Sequence, residues 1–293
     1  LLAINSPPPA SPIVKSPPAR ITIVSVAESV APLPGDCSLT PIVTSPSACI
    51  DCCVTSTVPA MSDKTPLILL PGLLCDQALW THQCETLGDI ADITVADMTR
   101  DDSIGGMADR ILAAAPDTFS LAGLSMGGYV AQEIMRRAPG RVERLGLLDT
   151  SADGDSPDRR KQRKGFIAQL GLGGFKGVTN KLLPYLIHSD RLNDSALVAV
   201  IQASAANIGP DAFVRQQTAI LDRPDGRKDL QDIPCPTLVL CGRQDALTPL
   251  SAHEEMAKAI PNARLVIIED CGHLAPLEQP HAVSAVMRYW LTQ

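Results

Sequence analysis

Phe119-Ser120-Leu121-Ala122-Gly123-Leu124-Ser125-Met126-Gly127-Gly128-Tyr129-Val130-Ala131 decides how this chain is read. Phe119–Ala122 has the short apolar character of a buried strand, and Tyr129–Met135 that of a helix. Between them, Gly123-Leu124-Ser125-Met126-Gly127 forms a nucleophile elbow, a strand turning sharply into a helix with a serine hydroxyl held at the turn. The turn strains the serine backbone and brings strand and helix close, so the flanking positions need glycine. Glycine and serine frequencies allow on the order of 0.1 chance matches in a chain of this length. The strand before, the helix after and the further glycine at Gly128 therefore carry the reading.

Outward from the elbow the same alternation repeats. Leu67–Leu70, Ile93–Ala96, Leu145–Leu148, Thr237–Cys241 and Leu265–Ile268 are short apolar strands. Helical stretches are expected at Gln77–Leu87, Ile104–Ala115, Ser251–Ile260 and His281–Leu291. Continuous apolar strands, most with a helix after them, indicate an α/β fold with a predominantly parallel sheet of about six strands, covered by helices on both faces. Residues 152–230 break the pattern with helix-like segments at Arg160–Leu170, Phe175–Ile187, Ser195–Asn207 and Asp211–Leu221. An insertion this long between two strands reads as a helical cap, because ordinary crossovers are far shorter. The expected organisation is a core of residues 61–151 and 231–293 with the cap at 152–230.

Residues 1–60 differ in kind. They hold 11 of the 25 prolines, five charged residues and no aromatic residue. They read as a disordered, low-complexity extension, with Ile21–Val26 its one strand-like stretch and folding expected to begin near Met61. The rest is ordinary globular sequence: 45% of the 293 residues are hydrophobic and 19% charged, enough for one large core. The net charge of −7 comes with one basic cluster, Arg159–Lys164, read as a solvated helix face, so no nucleic-acid partner is expected. No apolar run approaches the length that spans a bilayer. Nine scattered cysteines, an odd number, read as reduced thiols of a cytoplasmic protein. Cys49-Ile50-Asp51-Cys52-Cys53 resembles half a zinc site but has no second half, so no metal is expected.

A serine hydroxyl becomes a useful nucleophile when an imidazole takes its proton and a buried carboxylate holds the imidazolium. In a strand–elbow–helix architecture the chain order is serine, acid, histidine. Of the five histidines, His273 in Asp270-Cys271-Gly272-His273-Leu274-Ala275 directly follows the strand Leu265–Ile268, at the sheet edge where Ser125 emerges. His82, His188, His253 and His281 lie in or beside expected helices. For the acid, Asp245 in Gly242-Arg243-Gln244-Asp245 follows the strand Thr237–Cys241, and Asp149, one strand earlier at the same edge, is its rival. The oxyanion needs two fixed N–H donors. Met126, at the start of the helix, is one; Leu73, in the loop Pro71–Asp76 after the first core strand, is the other.

These stretches resemble the α/β-hydrolase fold family over about residues 65–293. The elbow Gly-Leu-Ser-Met-Gly-Gly, the Gly-Arg-Gln-Asp loop and the segment Gly272-His273-Leu274-Ala275-Pro276-Leu277-Glu278-Gln279-Pro280 match its capped, cofactor-free serine hydrolases and esterases. The resemblance implies a catalytic triad of Ser125, His273 and Asp245, oxyanion donors Leu73 and Met126, no cofactor, and a cap inserted after the family's sixth strand. The oxyanion loop begins Pro71-Gly72 where the family usually has His-Gly. The family's two leading strands are missing between Met61 and Leu67, which shortens the expected sheet to six. The expected activity is hydrolysis of a small-molecule carboxylic ester of small to medium acyl chain by a monomer or homodimer. Hydrolysis of a carbon–carbon bond in a diketone, enol-lactone hydrolysis and perhydrolysis use the same triad and stay open, as does a non-catalytic binding role.

Overall fold

The computed structural model describes residues 20–24, 64–170 and 174–293. The proline runs, the Cys49–Cys53 cluster and Leu172 lie outside them. Strands β1 (Ile21–Val24), β2 (Thr65–Leu70), β3 (Ala91–Val95), β4 (Phe119–Leu124), β5 (Val142–Leu148), β6 (Thr237–Gly242) and β7 (Ala263–Ile268) form one sheet in the order β1-β7-β6-β5-β4-β2-β3. All neighbours from β3 to β7 pair in parallel, and β1 alone runs antiparallel, on β7. Helices α1 (Thr81–Leu87), α2 (Ile104–Ala114), α3 (Met126–Arg137), α4 (Pro157–Leu170), α5 (Leu183–Leu186), α6 (Ser195–Leu221), α7 (Leu250–Ala259), α8 (Ala275–Glu278) and α9 (Pro280–Leu291) connect them.

Side chains alternate between the two faces along a strand, so a strand covered on both sides must be apolar throughout. β4 meets that demand with six buried residues in a row. Leu121 of β4, Leu145 and Leu147 of β5 and Val239 of β6 join Met107, Val130, Ile134 and Met256 in one core beneath α2, α3 and α7. Leu67 and Leu69 of β2, Leu124, Leu148 and Leu240 join Trp80, Val283 and Met287 in a second core on the opposite face. Leu183, Ile187, Leu197 and Ile201, from the insertion, belong to that second core.

Two expectations are corrected. Ordered structure does not begin near Met61, because Ile21–Val24 is an edge strand paired with β7 from Ile21↔Ile268 to Val24↔Leu265. Thr22 Oγ1 donates to Glu269 Oε1 at 3.0 Å and Glu269 N–H to the Arg20 carbonyl at 3.0 Å. The sheet therefore has seven strands, the six of the alternating pattern plus this one. Among the described residues α6 contains an 18-residue window of mean hydropathy 1.3, enough by length and composition to cross a membrane. Its many small residues raise the average without forming an unbroken apolar run. The helix is interrupted at Gly209 (φ 71°, ψ 175°), immediately before Pro210, where an N–H and a helical conformation are both lost. Leu197, Ile201, Phe213 and Ile220, on either side of the break, are buried.

Between β5 and β6 the described residues contain helices and no strand. The stretch Phe175–Ile187 is helical only at Leu183–Leu186, and Pro184 is accommodated in its first turn. α4 bears the basic cluster and is mostly exposed.

Candidate active site

Because β4, β5, β6 and β7 are parallel, the loops leaving them lie along one sheet edge, and Ser125, Asp149, Asp245 and His273 each occupy one of those loops. Ser125 stands between the last residue of β4 and the first of α3 with φ 53° and ψ −113°, a conformation that L residues adopt only under constraint. Its N–H donates to the Leu148 carbonyl at 3.0 Å, and its own carbonyl accepts from Thr150 Oγ1 at 2.8 Å. A Cβ at Gly127 would overlap the carbonyl oxygen of Leu70, and one at Gly123 the carbonyl of Gly127. Those contacts are why the motif needs glycine there.

His273 is buried, and its Nδ1 lies 2.8 Å from Asp245 Oδ2. The other oxygen of Asp245 accepts N–H bonds from Leu247 at 2.8 Å and Thr248 at 2.9 Å, and Thr248 Oγ1 donates to Oδ2 at 2.6 Å. Burial pushes the Asp245 pKa up, but the charge of His273 and the Thr248 donors outweigh it and hold the carboxyl below its ordinary value. With Nδ1 on the carboxylate, the imidazole presents Nε2 as its second nitrogen. Nε2 makes no hydrogen bond among the described residues, to Ser125 Oγ or to any other group.

Asp149 is placed differently. It is fully buried with φ 43°, and it accepts from Gly242 N–H on Oδ1 at 2.9 Å and from Ala275 N–H on Oδ2 at 3.2 Å. Its carboxylate thus ties the end of β6 to the loop of His273. Burial, and then the negative charge of Asp245, push its pKa well above the ordinary value.

Leu73 follows Gly72 in the loop after β2, and Met126 follows Ser125 as the first residue of α3. A Cβ at Gly72 would lie 3.4 Å from Ser125 Cβ, so the loop after β2 passes directly over the elbow. Neither the Leu73 N–H nor the Met126 N–H donates to an acceptor among the described residues. The neighbouring Leu74 N–H, by contrast, donates to Gln216 Oε1 of α6 at 3.2 Å. Leu74 has φ 60°, and Gln216 also donates to the Met98 carbonyl at 3.1 Å. Two backbone donors near the elbow are therefore without a partner among the described residues, one of them at the positive end of α3.

His253, which has no distinctive sequence context, is a buried support. Its Nε2 accepts the Thr150 N–H at 3.0 Å and its Nδ1–H donates to the Pro249 carbonyl at 3.3 Å. The Thr150 donor requires Nε2 to be unprotonated, so the ring is neutral; burial lowers its pKa to about 4 from the ordinary 6.5. A histidine depressed in the folded state leaves the unfolded chain holding more protons between those two values. Stability is then full above pH ~6.5 and is lost as the pH falls toward ~4, by about 3 kcal/mol. Tm measured from pH 7 to 4 should fall, and His253→Gln, which keeps an acceptor near Thr150, should flatten that slope.

Among the described residues no group of three or more His, Cys, Asp or Glu side chains could hold a metal ion. A cavity of about 270 Å³ lies elsewhere, between α3 and residues 226–233, lined by Gln132, Arg136, Asp229 and Ile233 among others, and none of the site residues borders it.

Comparison with known proteins matches the model of the "Alpha/beta hydrolase family" to residues 67–286. The chain is 28% identical over 209 residues to the pimeloyl-[acyl-carrier protein] methyl ester esterase of Aromatoleum aromaticum, covering 62% of this chain and 77% of that one. Among solved structures, it superposes on a thermophilic esterase from Thermogutta terrifontis with TM-score 0.71 and 30% identity, covering 78% of this chain and 89% of that one. The enol-lactonase from Burkholderia xenovorans LB400 matches with TM-score 0.71 and 23% identity over 78% of this chain and 92% of that one, a likeness of fold.

Proposed function

The chain belongs to the alpha/beta hydrolase family, and from that premise we propose that it is a serine hydrolase cleaving a carboxylic ester of small to medium acyl chain. The observation that carries the proposal is the buried Asp245 carboxylate 2.8 Å from His273 Nδ1, on the same sheet edge as the strained Ser125. In this reading His273 Nε2 takes the Ser125 hydroxyl proton as Oγ attacks the ester carbonyl. The Leu73 and Met126 N–H groups hold the oxyanion, and removing one such donor costs on the order of 3 kcal/mol of transition-state stabilisation. The imidazolium, balanced by Asp245, passes its proton to the departing alcohol. Water, activated by the same imidazole, then releases the acid from the acyl-serine. Ser125 and His273 must close to hydrogen-bond distance as substrate binds, a tightening usual in serine hydrolases. The esterase names of the relatives at 28% and 30% identity support the reaction type.

Turnover of p-nitrophenyl esters of graded chain length, a vinylogous diketone and an enol-lactone tests the reading. Fastest turnover of the esters, with rapid fluorophosphonate labelling of Ser125, supports it. Labelling with turnover confined to the diketone or the lactone moves the chemistry to that bond, and no labelling at all leaves a binding role.

Residues 152–230 are the cap in this proposal and set the acyl range. Leu186 and the buried Ile187 sit against the His273 loop, where the Leu186 carbonyl accepts the His273 N–H at 3.0 Å. Leu182 is 37% exposed and should matter less. Leu186→Ala and Ile187→Ala are expected to shift the kcat/KM ratio between short and long esters by about 1–3 kcal/mol each, and labelling of Ser125 should hardly change. A flat chain-length preference across these variants would assign the insertion to packing alone. Cys75, Cys84, Cys235, Cys241 and Cys271 are free thiols among the described residues, in keeping with the cytoplasmic setting that is part of this proposal.

A further inference from the structure

We propose that Glu278 is a positioning residue for the proposed base, holding the backbone on both sides of His273 and bonding the cap to it through one carboxylate. The inference rests on the reading of His273 as that base.

Glu278 ends α8 and is fully buried. Its Oε1 accepts the Gly272 N–H at 3.0 Å and the Leu274 N–H at 3.3 Å, the residues immediately before and after His273. Its Oε2 accepts the N–H of His188, just beyond α5, at 2.6 Å. The seam continues around it: Arg191 donates to the Glu278 backbone carbonyl, and the His273 N–H donates to Leu186. A Cβ at Gly272 would come within 2.8 Å of the Ile187 carbonyl carbon, so the insertion and the His273 loop touch backbone to backbone.

The chemistry of the group matters. Three N–H donors converge from two segments without regular structure, and a carboxylate accepts on both of its oxygens. Glutamine offers one acceptor and one donor, so it satisfies either the His273 loop or His188 and sets N–H against N–H at the other. An imidazole displaced by even a fraction of an ångström loses the alignment that proton transfer needs. The carboxylate therefore links the seating of the insertion to the placement of His273. Lifting the insertion would leave a buried oxygen without its donor, a costly state. Burial, opposed by the His188, Gly272 and Leu274 donors, leaves the Glu278 pKa above its ordinary value.

The test uses Glu278→Gln in the full chain, with p-nitrophenyl butyrate turnover across pH, fluorophosphonate labelling of Ser125 and circular dichroism for the fold. The expected result is a folded protein whose kcat falls about ten- to a hundredfold with KM changed far less. Labelling should slow in parallel, and the acid limb of the pH profile should move to lower pH as the imidazolium loses its close partner. A folded variant with unchanged kcat and an unmoved limb overturns the proposal. If the glutamine variant does not fold, Gly272→Ala decides: it leaves the carboxylate intact and pushes residues 186–188 off the loop. The same loss of kcat is expected, and an unchanged kcat overturns the coupling. His273→Ala separates the two levels of the argument. Normal labelling of that variant removes the base assignment itself. Lost labelling, combined with an indifferent Glu278→Gln, removes only the role of Glu278.

Discussion

Ser125→Ala is expected to lower kcat by about 10⁶-fold and leave the fold intact, the largest effect any single substitution should have here. The hydroxyl makes no hydrogen bond among the described residues, so deleting it orphans no partner. The elbow is held through the backbone instead, by the Ser125 N–H on Leu148 and the Ser125 carbonyl on Thr150. Alanine keeps the same Cβ at φ 53°, so the backbone strain is the same in both proteins. What disappears is the atom that forms the covalent intermediate, while the N–H donors and the binding surface persist. Ester turnover and a thermal melt measure the two sides. More than a few per cent of residual activity, or a melt lowered by many degrees, would contradict the assignment.

The second large effect separates the two aspartates. Asp245→Asn is expected to lower kcat by about 10³- to 10⁴-fold through the histidine tautomer. The Leu247 and Thr248 N–H groups both point at Oδ1, so they draw the amide oxygen of an asparagine to that side. The NH₂ group then faces His273 Nδ1 and donates to it, which leaves the imidazole proton on Nε2, where the lone pair is needed. Asp149→Asn meets different surroundings. Its two oxygens serve one N–H each, Gly242 and Ala275, so either amide orientation sets donor against donor. That costs about 1–3 kcal/mol of stability, with a much smaller fall in kcat. Kinetics and melting of the two variants side by side check the contrast, and a reversal of the kinetic effects would move the acid to Asp149.

The polar supports around the two aspartates show where local pattern stops being informative. Thr248 stands three residues after Asp245 in the chain, and nothing in that spacing tells of its hydroxyl bond to the Asp245 carboxylate. Gln216 and His253 lie in unremarkable helical sequence and Glu278 in the segment that follows His273, and all three become supports only when other elements are folded against them. Asp149 and Asp245 are equivalent by chain position, each following a strand at the same edge. Side-chain direction separates them, and it depends on how β5, β6 and the His273 loop lie against each other.

The sequence alone was enough to determine the alternation of six parallel strands with their helices, the elbow at Ser125, and the common edge shared by Ser125, Asp245 and His273. These follow from local causes: an apolar run of strand length, helical periodicity, glycine where two backbones touch, and the rule that parallel strands end on one side. Only the tertiary structure decided that Ile21–Val24 joins the sheet at β7, that Phe175–Ile187 is mostly not helical, and that Asp245 rather than Asp149 lies on His273. The pairing of Ile21 with Ile268, the bond from Ala275 to Asp149 and the bond from His188 to Glu278 each join residues far apart in the chain. A hydrogen bond is decided within a few tenths of an ångström and a few tens of degrees, and that precision exists only after the distant segments have packed.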